Sequence, residues 1–328
     1  MDPDTPIRSA SEDAEAPTET YVVSSLDEGK RLDQILTRHA PERSRATYQR
    51  WIQDGRVHVD GVPAQSKRRP RVGQTLEVRP APPPRSEAIP QDLPLDVLYE
   101  DSHLVVVNKA AGMVVHPAPG HPDGTLVNAV LHHFGWLPGD EPDRPGIVHR
   151  LDAQTSGVML VARSEEAKAR LVEMFAAHDL ERAYVALVRG RLDGKTTYDT
   201  MHARHPRDRK RFSSKVSRGK RAVTYVEALE SLHGATRVRC TLETGRTHQI
   251  RVHLADATHP LIGDPVYARV PRDPRLAEVH RALGRQALHA AVLGFAHPVT
   301  GEAMRFEVDP PDDFISALDA LRDAQRRG

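Results

Sequence analysis

A run of prolines divides the chain into two parts. Residues 80–94, PAPPPRSEAIPQDLP, hold six prolines. Proline lacks a backbone N–H and fixes φ, so this stretch can be neither a helix nor a central strand. We therefore place a semi-rigid linker at residues 80–92. The sequence predicts a compact unit at 20–79 before it, a larger domain at 93–310 after it, and a C-terminal helical extension at 311–328.

The unit before the linker has the pattern of two short helices and a small hairpin. Residues 1–19 are acidic, lack periodic apolar residues and are expected to be disordered. Leu32, Ile35 and Leu36 have helical spacing and predict the first helix. A second helix is expected to start at an N-cap, Ser44, and to end at Gly55, with Tyr48, Trp51 and Ile52 on one face. Residues 56–61 and 71–78 read as strands, and the first turns at Asp60-Gly61.

Charge is strongly segregated although the net charge is only +1. The first twenty residues carry six acids against one arginine. Residues 30–79 carry twelve Lys or Arg against five acids, and residues 202–221 carry nine against one. Ordinary solvated surface would explain one such run, but two separate basic zones favour a polyanionic partner.

Other bulk features limit the class of protein. The single cysteine, Cys240, excludes an internal disulfide and a thiolate metal cage. No apolar run reaches the ~18 residues of a membrane helix, and the acidic N-terminus does not resemble a signal peptide. We expect a cytoplasmic protein without membrane contact, which we take to be a monomer.

The larger domain is predicted to be α+β with a mixed, largely antiparallel sheet and a central cleft. HLVVVNK (103–109) is a continuous apolar run, as expected of a buried strand. Further strands are expected at Gly146–Val148, Val158–Ala162, 184–190 and 236–245. Helices are expected after Ser164, over 247–257 and at the C-terminus. Strands and helices alternate without βαβ regularity, which argues against a parallel sheet.

No phosphate-binding glycine loop and no H-E-x-x-H zinc motif occurs, so neither a nucleotide cofactor nor a metal is expected. The stretch GIVHRLDAQTSGVMLVA (146–162) instead places one carboxylate, Asp152, in a bend. An isolated aspartate in a bend is usually a turn former that accepts backbone N–H bonds. The residues next to Asp152, and two later motifs, favour a functional role for this carboxylate instead.

Both parts of the chain resemble known RNA-binding proteins. RLDQIL, SRATYQRWIQDGRVHVDG and VGQTLEV resemble the small α+β S4 RNA-binding module, with Arg43, Arg45 and Arg50 on its basic helix face. In the larger part, HRLDAQTSG, the tyrosine of ERAYVALVRG and the block TGRTHQIRVHLADATHPLIGDPVYA occur in that order. They resemble the aspartate, tyrosine and arginine motifs of the RluA/RluD-type pseudouridine synthases. NKAAGMVVHPAPGHPDGTLVNAVLHHF and RQALHAAVLGFAHPVTGEAMRF resemble further segments of that family.

The resemblance implies isomerisation of uridine to pseudouridine in large-subunit (23S) ribosomal RNA, free or in a precursor subunit. Asp152 would be the catalytic carboxylate, Arg251 its ion-pair partner and Tyr184 the residue that packs on the target base. The same motifs supply the substrate-binding candidates, which are His149, Arg150, Arg246, His248 and Gln249. Taken alone, Arg251 could be a surface helix residue and Tyr184 a core residue; the order of the motifs favours the site for both.

One carboxylate is enough for this reaction. The bond from ribose C1′ to uracil N1 breaks, and the base rotates and rejoins through C5, with no redox step. The carboxylate acts as a nucleophile at C1′ or supports a glycal route, and a nearby guanidinium favours its ionised form. The base must first leave its stack, and Arg150, two residues before Asp152, is the candidate wedge that fills the gap. Alternatively, Arg150 binds a backbone carbonyl or a phosphate near the bend.

The sequence departs from the family pattern at Ala153 and Gln154, where a Lys-Asp or Lys-Glu pair is usual. Two other functions remain open. A non-catalytic RNA-binding ribosome assembly factor could use the same fold, although Asp152, Tyr184 and Arg251 are all intact. A base-releasing glycosidase would need a second acidic group, for which the sequence offers no support.

Overall fold

The computed structural model describes residues 17–41, 43, 45–65, 68–80, 88–118, 120–139, 144–208 and 210–327. The chain forms two compact units, Met1–Arg85 and Ser86–Gly328. Most of the expected tail (residues 1–16) and most of the expected linker (residues 81–87) lie outside the described residues. Glu19, which the sequence assigns to the tail, begins the first strand.

In its described residues, the smaller unit contains two helices and four short strands. These are β1 (Glu19–Val22), a 3-10 turn (Ser25–Asp27), α1 (Leu32–His39), α2 (Arg45–Gln53), β2 (Val57–Val59), β3 (Val62–Pro63) and β4 (Thr75–Val78). The strands form an antiparallel sheet in the order β1-β4-β2-β3. The apolar faces predicted for both helices are buried in one core with Val57, Leu76 and Val78.

The turn between β2 and β3 lies where the sequence predicts it. Asp60 and Gly61 have φ values of 52° and 75°, the left-handed pair that a tight hairpin turn requires. The expected helix N-cap, Ser44, is outside the described residues.

The larger unit contains the remaining strands and helices. In chain order they are β5 (Val97–Glu100), β6 (Leu104–Lys109), α3 (Leu126–Phe134), β7 (Ser156–Ala162), α4 (Glu165–Ala177), β8 (Glu181–Arg189), β9 (Lys195–Arg204), β10 (Phe212–Ser213), β11 (Lys220–Leu232), β12 (Ala235–Leu242), α5 (Gln249–Asp256), α6 (Pro274–Leu283), β13 (Leu288–Ala296), β14 (Ala303–Glu307) and α7 (Asp312–Arg326). In the described part of the chain the strands form one sheet in the order β10-β9-β11-β12-β8-β13-β7-β6-β5, with β14 added beside β13. The β13–β7 pair is parallel and the other pairs are antiparallel, so the predicted fold class is confirmed.

Strand β6 is covered on both faces, which explains its continuous apolar run. Val105 and Val107 of β6 lie in one buried cluster, and Leu104 and Val106 lie in another. Successive strand residues point to opposite faces, so a strand that is buried on both sides needs an apolar residue at each position.

The strand expected at Gly146–Val148 is wrong. Ile147 makes an isolated bridge to Val161 and the flanking residues form turns. Gly146 has a φ of +69°, and a Cβ there would lie 2.5 Å from the Ala162 carbonyl oxygen. The chain therefore turns tightly against the end of β7, and Asp152 follows an irregular segment instead of joining two strands.

Gly157 lets the Asp152 bend approach β13. A Cβ at this position would lie 2.1 Å from the Ala290 carbonyl oxygen. Gly157 and Ala290 are partners in the short parallel pairing of β7 and β13. Because Ala290 also pairs with Tyr184 of β8, the glycine brings the start of β7 beside the strand that carries the tyrosine.

The predicted C-terminal helix is α7. Phe314, Leu318 and Leu321 are buried in the same apolar cluster as Leu187 of β8 and Val292 of β13. Within the described residues, no helix is both long enough and apolar enough to span a bilayer.

Candidate active site

The Asp152 bend is held by its main-chain carbonyl groups. Lys109 Nζ and the Gly112 N–H donate to Ala153 O at 3.0 and 2.9 Å, and Arg285 Nη1 donates to Gln154 O at 3.2 Å. The side chain of Gln154 is exposed. These contacts are independent of the side chains at 153 and 154, which explains how the bend tolerates the departure from the family pattern.

Lys109 is a positioning residue that the sequence analysis did not single out. It is 1% exposed, and its ammonium group also donates to Ala110 O and Met113 O, both at 2.8 Å. Burial lowers the pKa of Lys109 to about 7, and the nearby Asp152 charge opposes that shift. Three carbonyl acceptors for three donors favour the ammonium form. The signal in the sequence is a lysine at the end of a buried strand, where a charge needs partners.

Arg251 connects Asp152 to a second carboxylate. Arg251 Nη1 donates to Asp152 Oδ2 at 2.9 Å across 99 residues of sequence. Its Nε and Nη2 donate to the two oxygens of Asp264 at 2.7 and 3.0 Å. Arg251 is 5% exposed, so the alternative of a surface helix position is excluded. The guanidinium also lies 5.1 Å from the centre of the Tyr267 ring.

Asp264 is the second residue that the sequence analysis missed. It is fully buried, and it also accepts the N–H groups of Val266 and Tyr267 at 2.8 and 3.0 Å. Burial alone would raise the pKa of Asp264, but the bonds from Arg251 outweigh it and hold the pKa below its usual range. In the sequence, Gly-Asp-Pro reads as an ordinary turn, and nothing in that tripeptide points to a buried ion pair.

Tyr184 lies half-buried on β8, packed against the apolar clusters on both sides of it. Burial raises the pKa of Tyr184 to about 12, and the charges of Arg182 and Asp152 act on it in opposite directions. The side chain is therefore a neutral phenol at physiological pH, within electrostatic range of Asp152.

The other three candidates from the arginine motif lie in the turn before α5 and at its first residue. Gln249 is 3% exposed; it accepts from Thr244 Oγ1 and the Arg246 N–H, and it donates to Val223 O. Gln249 thus anchors the turn to β11. Arg246 is half-buried, and its Nε donates to Arg221 O at 3.2 Å. His248 is closer to the carboxylate, with Nε2 3.9 Å from Asp152 Oδ1.

His149 and Arg150 lie on either side of the chain before Asp152. His149 Nε2 accepts the Leu160 N–H at 3.0 Å, and its ring stacks on Phe175 at 4.6 Å. Burial lowers the pKa of His149 to about 3, so the ring is neutral. These contacts give His149 a structural role; contact with the substrate stays a prediction. Arg150 is exposed, and its Nη1 donates to His116 Nε2 at 3.4 Å.

The three candidate arginines of the smaller unit lie on α2 or shortly before it. Arg43 makes a bidentate pair with Glu19 at 2.8 and 2.7 Å, and Arg45 Nε donates to buried Asp33 at 2.7 Å. Arg50 lies half-buried on α2. A phosphate group would have to compete with Glu19 for Arg43 and with Asp33 for Arg45.

Comparison with known proteins identifies the family of each part of the chain. Residues 103–256 match the RNA pseudouridylate synthase family, and residues 30–76 match the S4 domain. The protein named ribosomal large subunit pseudouridine synthase D of Xanthomonas campestris is 43% identical over 97% of each chain. The protein of the same name from Escherichia coli K12 is 41% identical over 92% of this chain and 94% of its own. The solved structure of human RNA pseudouridylate synthase domain containing 1 has a TM-score of 0.54 and 27% identity, covering 73% of this chain and 89% of its own.

The chain belongs to the RNA pseudouridine synthases, and it is an isomerase of RNA uridine with an S4 RNA-binding domain. The expected likeness to the RluA/RluD-type enzymes is thereby confirmed. Relatives at 41–43% identity that span nearly the whole chain are named ribosomal large subunit pseudouridine synthase D.

Proposed function

We propose that this enzyme converts specific uridines of large-subunit (23S) ribosomal RNA to pseudouridine, with Asp152 as its catalytic carboxylate. The names and near full-length match of the bacterial relatives support the RNA target. The observation that carries the assignment of Asp152 is its ion pair with Arg251, which holds a carboxylate that is still 20% exposed.

The arrangement suits breakage of the bond between C1′ and N1. Arg251 binds Asp152 Oδ2, and among the described residues Oδ1 accepts no hydrogen bond, while the side chain is 20% exposed. An oriented carboxylate oxygen can attack C1′ or take a proton in a glycal route. In either route the electron pair of the broken bond leaves with the uracil, which then rejoins C1′ through C5.

A flipped target base fits the same arrangement. The uracil would stack on Tyr184, and Arg150, exposed two residues before Asp152, would fill the gap left in the RNA. The hydrogen bond that Arg150 donates to His116 is 3.4 Å long, so a base or phosphate could replace it.

The arrangement does not favour base release by a glycosidase mechanism. The second carboxylate near Asp152 is Asp264, whose oxygens accept from Arg251 and from two backbone N–H groups. A buried carboxylate with a lowered pKa is a poor general acid, so this site supplies one working carboxylate. The alternative of a non-catalytic assembly factor gains no support from a site in which all three motif residues are present.

The test of the RNA target is a map of pseudouridine in 23S ribosomal RNA from a strain that lacks the gene. We expect specific positions to revert to uridine and to be restored by the wild-type gene but not by the Asp152→Asn gene. An unchanged map would contradict the proposed substrate.

Tyr184→Ala is expected to weaken binding of the target base more than Tyr184→Phe. Stacking of a base on an aromatic ring contributes about 1–3 kcal/mol and survives loss of the hydroxyl group. The measurement is binding of substrate RNA by both variants, followed by single-turnover rates. If the phenylalanine variant binds RNA as poorly as the alanine variant, stacking is the wrong role.

Deletion of residues 1–85 is expected to weaken RNA binding and to reduce its salt dependence. Each lost phosphate contact lowers the log–log salt slope by about 0.9 on duplex and about 0.7 on single strands. Binding is measured at several salt concentrations, with circular dichroism and a thermal melt as controls for folding. An unchanged slope would exclude contacts between the S4 domain and the RNA backbone. Residues 202–221 would then be the candidates for those phosphate contacts.

A further inference from the structure

His248 holds an unusual backbone conformation beside the catalytic carboxylate. Its φ of +59° lies in the left-handed region that residues other than glycine rarely adopt. As the residue that precedes α5 it makes no side-chain cap to the helix. The conformation directs the imidazole toward Tyr267 and Asp152 instead. Strained residues of this kind are concentrated at functional sites.

The hydrogen bonds of Tyr267 determine which nitrogen of His248 carries the proton. The Phe212 N–H donates to Tyr267 Oη at 2.9 Å, and Tyr267 Oη lies 2.9 Å from His248 Nδ1. Among the described residues, the phenol proton has no other acceptor than His248 Nδ1. We therefore assign Nδ1 as the acceptor, so that the neutral imidazole carries its hydrogen on Nε2.

This Nε2–H group lies near Asp152 on a side chain that is partly exposed. It lies 3.9 Å from Asp152 Oδ1, and the two side chains are 21% and 20% exposed. The described residues offer it no acceptor at hydrogen-bonding distance. The rings of Phe212 and Tyr267 pack edge-on against the imidazole at 5.7 and 5.6 Å and fix its orientation. Burial lowers the pKa of His248, although the Asp152 charge opposes the shift, so the ring is a neutral donor.

We propose that His248 Nε2–H donates a hydrogen bond to the C2 carbonyl oxygen of the target uracil and stabilises the charge that forms there when the C1′–N1 bond breaks. This inference rests on the proposed function of Asp152. In the nucleophilic and the glycal route alike, the electron pair of that bond moves onto N1 and is shared with the adjacent O2. His248 keeps its proton throughout. The proton later lost is the one on C5, after C5 has bonded to C1′.

The proton position can be tested in the free protein, independently of catalysis. In histidine-¹⁵N-labelled enzyme, long-range ¹H–¹⁵N spectra distinguish the two neutral tautomers, and the signal of His248 is assigned by its loss in His248→Leu. We expect the Nε2–H form in the wild type and a mixture of tautomers in Tyr267→Phe, which lacks the phenol proton. An Nδ1–H form in the wild type would overturn the proposal whatever the activity of the enzyme.

The chemical role is tested by single-turnover kinetics at saturating RNA. His248→Leu is expected to react about 10²- to 10³-fold more slowly, the usual cost of one preorganised donor. His248→Gln, whose amide nitrogen can reach the position of Nε2, is expected to lose less than about tenfold by the same reasoning. RNA affinity and the thermal melt of both variants should stay close to those of the wild type. Equal losses in the two variants would show that the donor is not what matters.

A substrate analogue tests which atom accepts the bond. Sulfur accepts hydrogen bonds weakly, so RNA with 2-thiouridine at the target position should react more slowly with the wild-type enzyme. His248→Leu already lacks the bond, and the sulfur should slow it no further. If the slowing is the same in both enzymes, O2 does not accept from His248 and the proposal fails. Turnover by Asp152→Asn would instead contradict the proposed function, so the two failures are distinguishable.

Discussion

Replacement of Asp152 by asparagine is expected to reduce pseudouridine formation to background while RNA binding stays nearly intact. The amide has almost the shape of the carboxylate, and its oxygen can still accept from Arg251 Nη1. Arg251 itself stays fixed, because its other two donors bind Asp264. What the variant lacks is an anionic oxygen that can attack C1′ or accept a proton. The change therefore removes the reactive group without removing a structural one.

The measurement is single-turnover release of tritium from RNA labelled at uracil C5, with RNA binding measured in parallel. Asp193→Asn is a matched control: it makes the same change of charge at a side chain that is 71% exposed and paired with Arg191. We expect the control to react at the wild-type rate. Turnover by Asp152→Asn above background would exclude Asp152 as the catalytic group.

Local sequence patterns predicted the elements whose determinants are local. The apolar spacing of Leu32, Ile35 and Leu36 fixed α1, and the continuous run in β6 followed from burial of both faces. The prediction of a strand at Gly146–Val148 was wrong for a reason that the apolar residues there do not reveal. The glycine there takes a positive φ because the chain turns against Ala162, and this close approach depends on the position of β7.

The site could be predicted only in part, because its contacts join distant parts of the chain. Asp152 and Arg251 stood in recognisable motifs, and the structure brings them to 2.9 Å. Asp264 had no distinguishing local signal, and Lys109 had only its place at the end of a buried strand, since each functions through partners that only the folded sheet supplies. Gln249 and His149 show that a position within a motif does not reveal which side chains also hold the backbone, as both do here; their contact with the substrate stays a prediction.

Replacement of Arg251 by methionine is expected to destabilise the protein as well as to abolish turnover. Asp264 is fully buried, and the variant removes two of its four hydrogen-bond donors together with its counter-charge. Leaving a buried charge without its partner costs about 3–5 kcal/mol. Asp152, which is partly exposed, loses its orienting contact at the same time. Urea unfolding at pH 7 measures the first effect and single-turnover kinetics the second.

The pH dependence of stability identifies Asp264 as the cause. In the wild type the pKa of Asp264 is lowered, so its contribution to stability is present at neutral pH and is lost as pH falls through the folded-state pKa. Without Arg251 the buried carboxyl is expected to take up a proton more readily. The stability difference between variant and wild type should therefore be largest at pH 7 and should shrink toward pH 4. A difference that is constant with pH would point to lost packing instead.

The double variant Arg251→Met with Asp264→Asn separates stability from catalysis. A neutral amide at position 264 needs no counter-charge, so most of the lost stability at pH 7 should return. Turnover should stay low, because Asp152 still lacks the guanidinium that orients its carboxylate and stabilises its charge. If activity returned together with stability, Arg251 would be needed only to fold the site. If stability recovers and turnover does not, Arg251 has two separable roles, one toward each carboxylate.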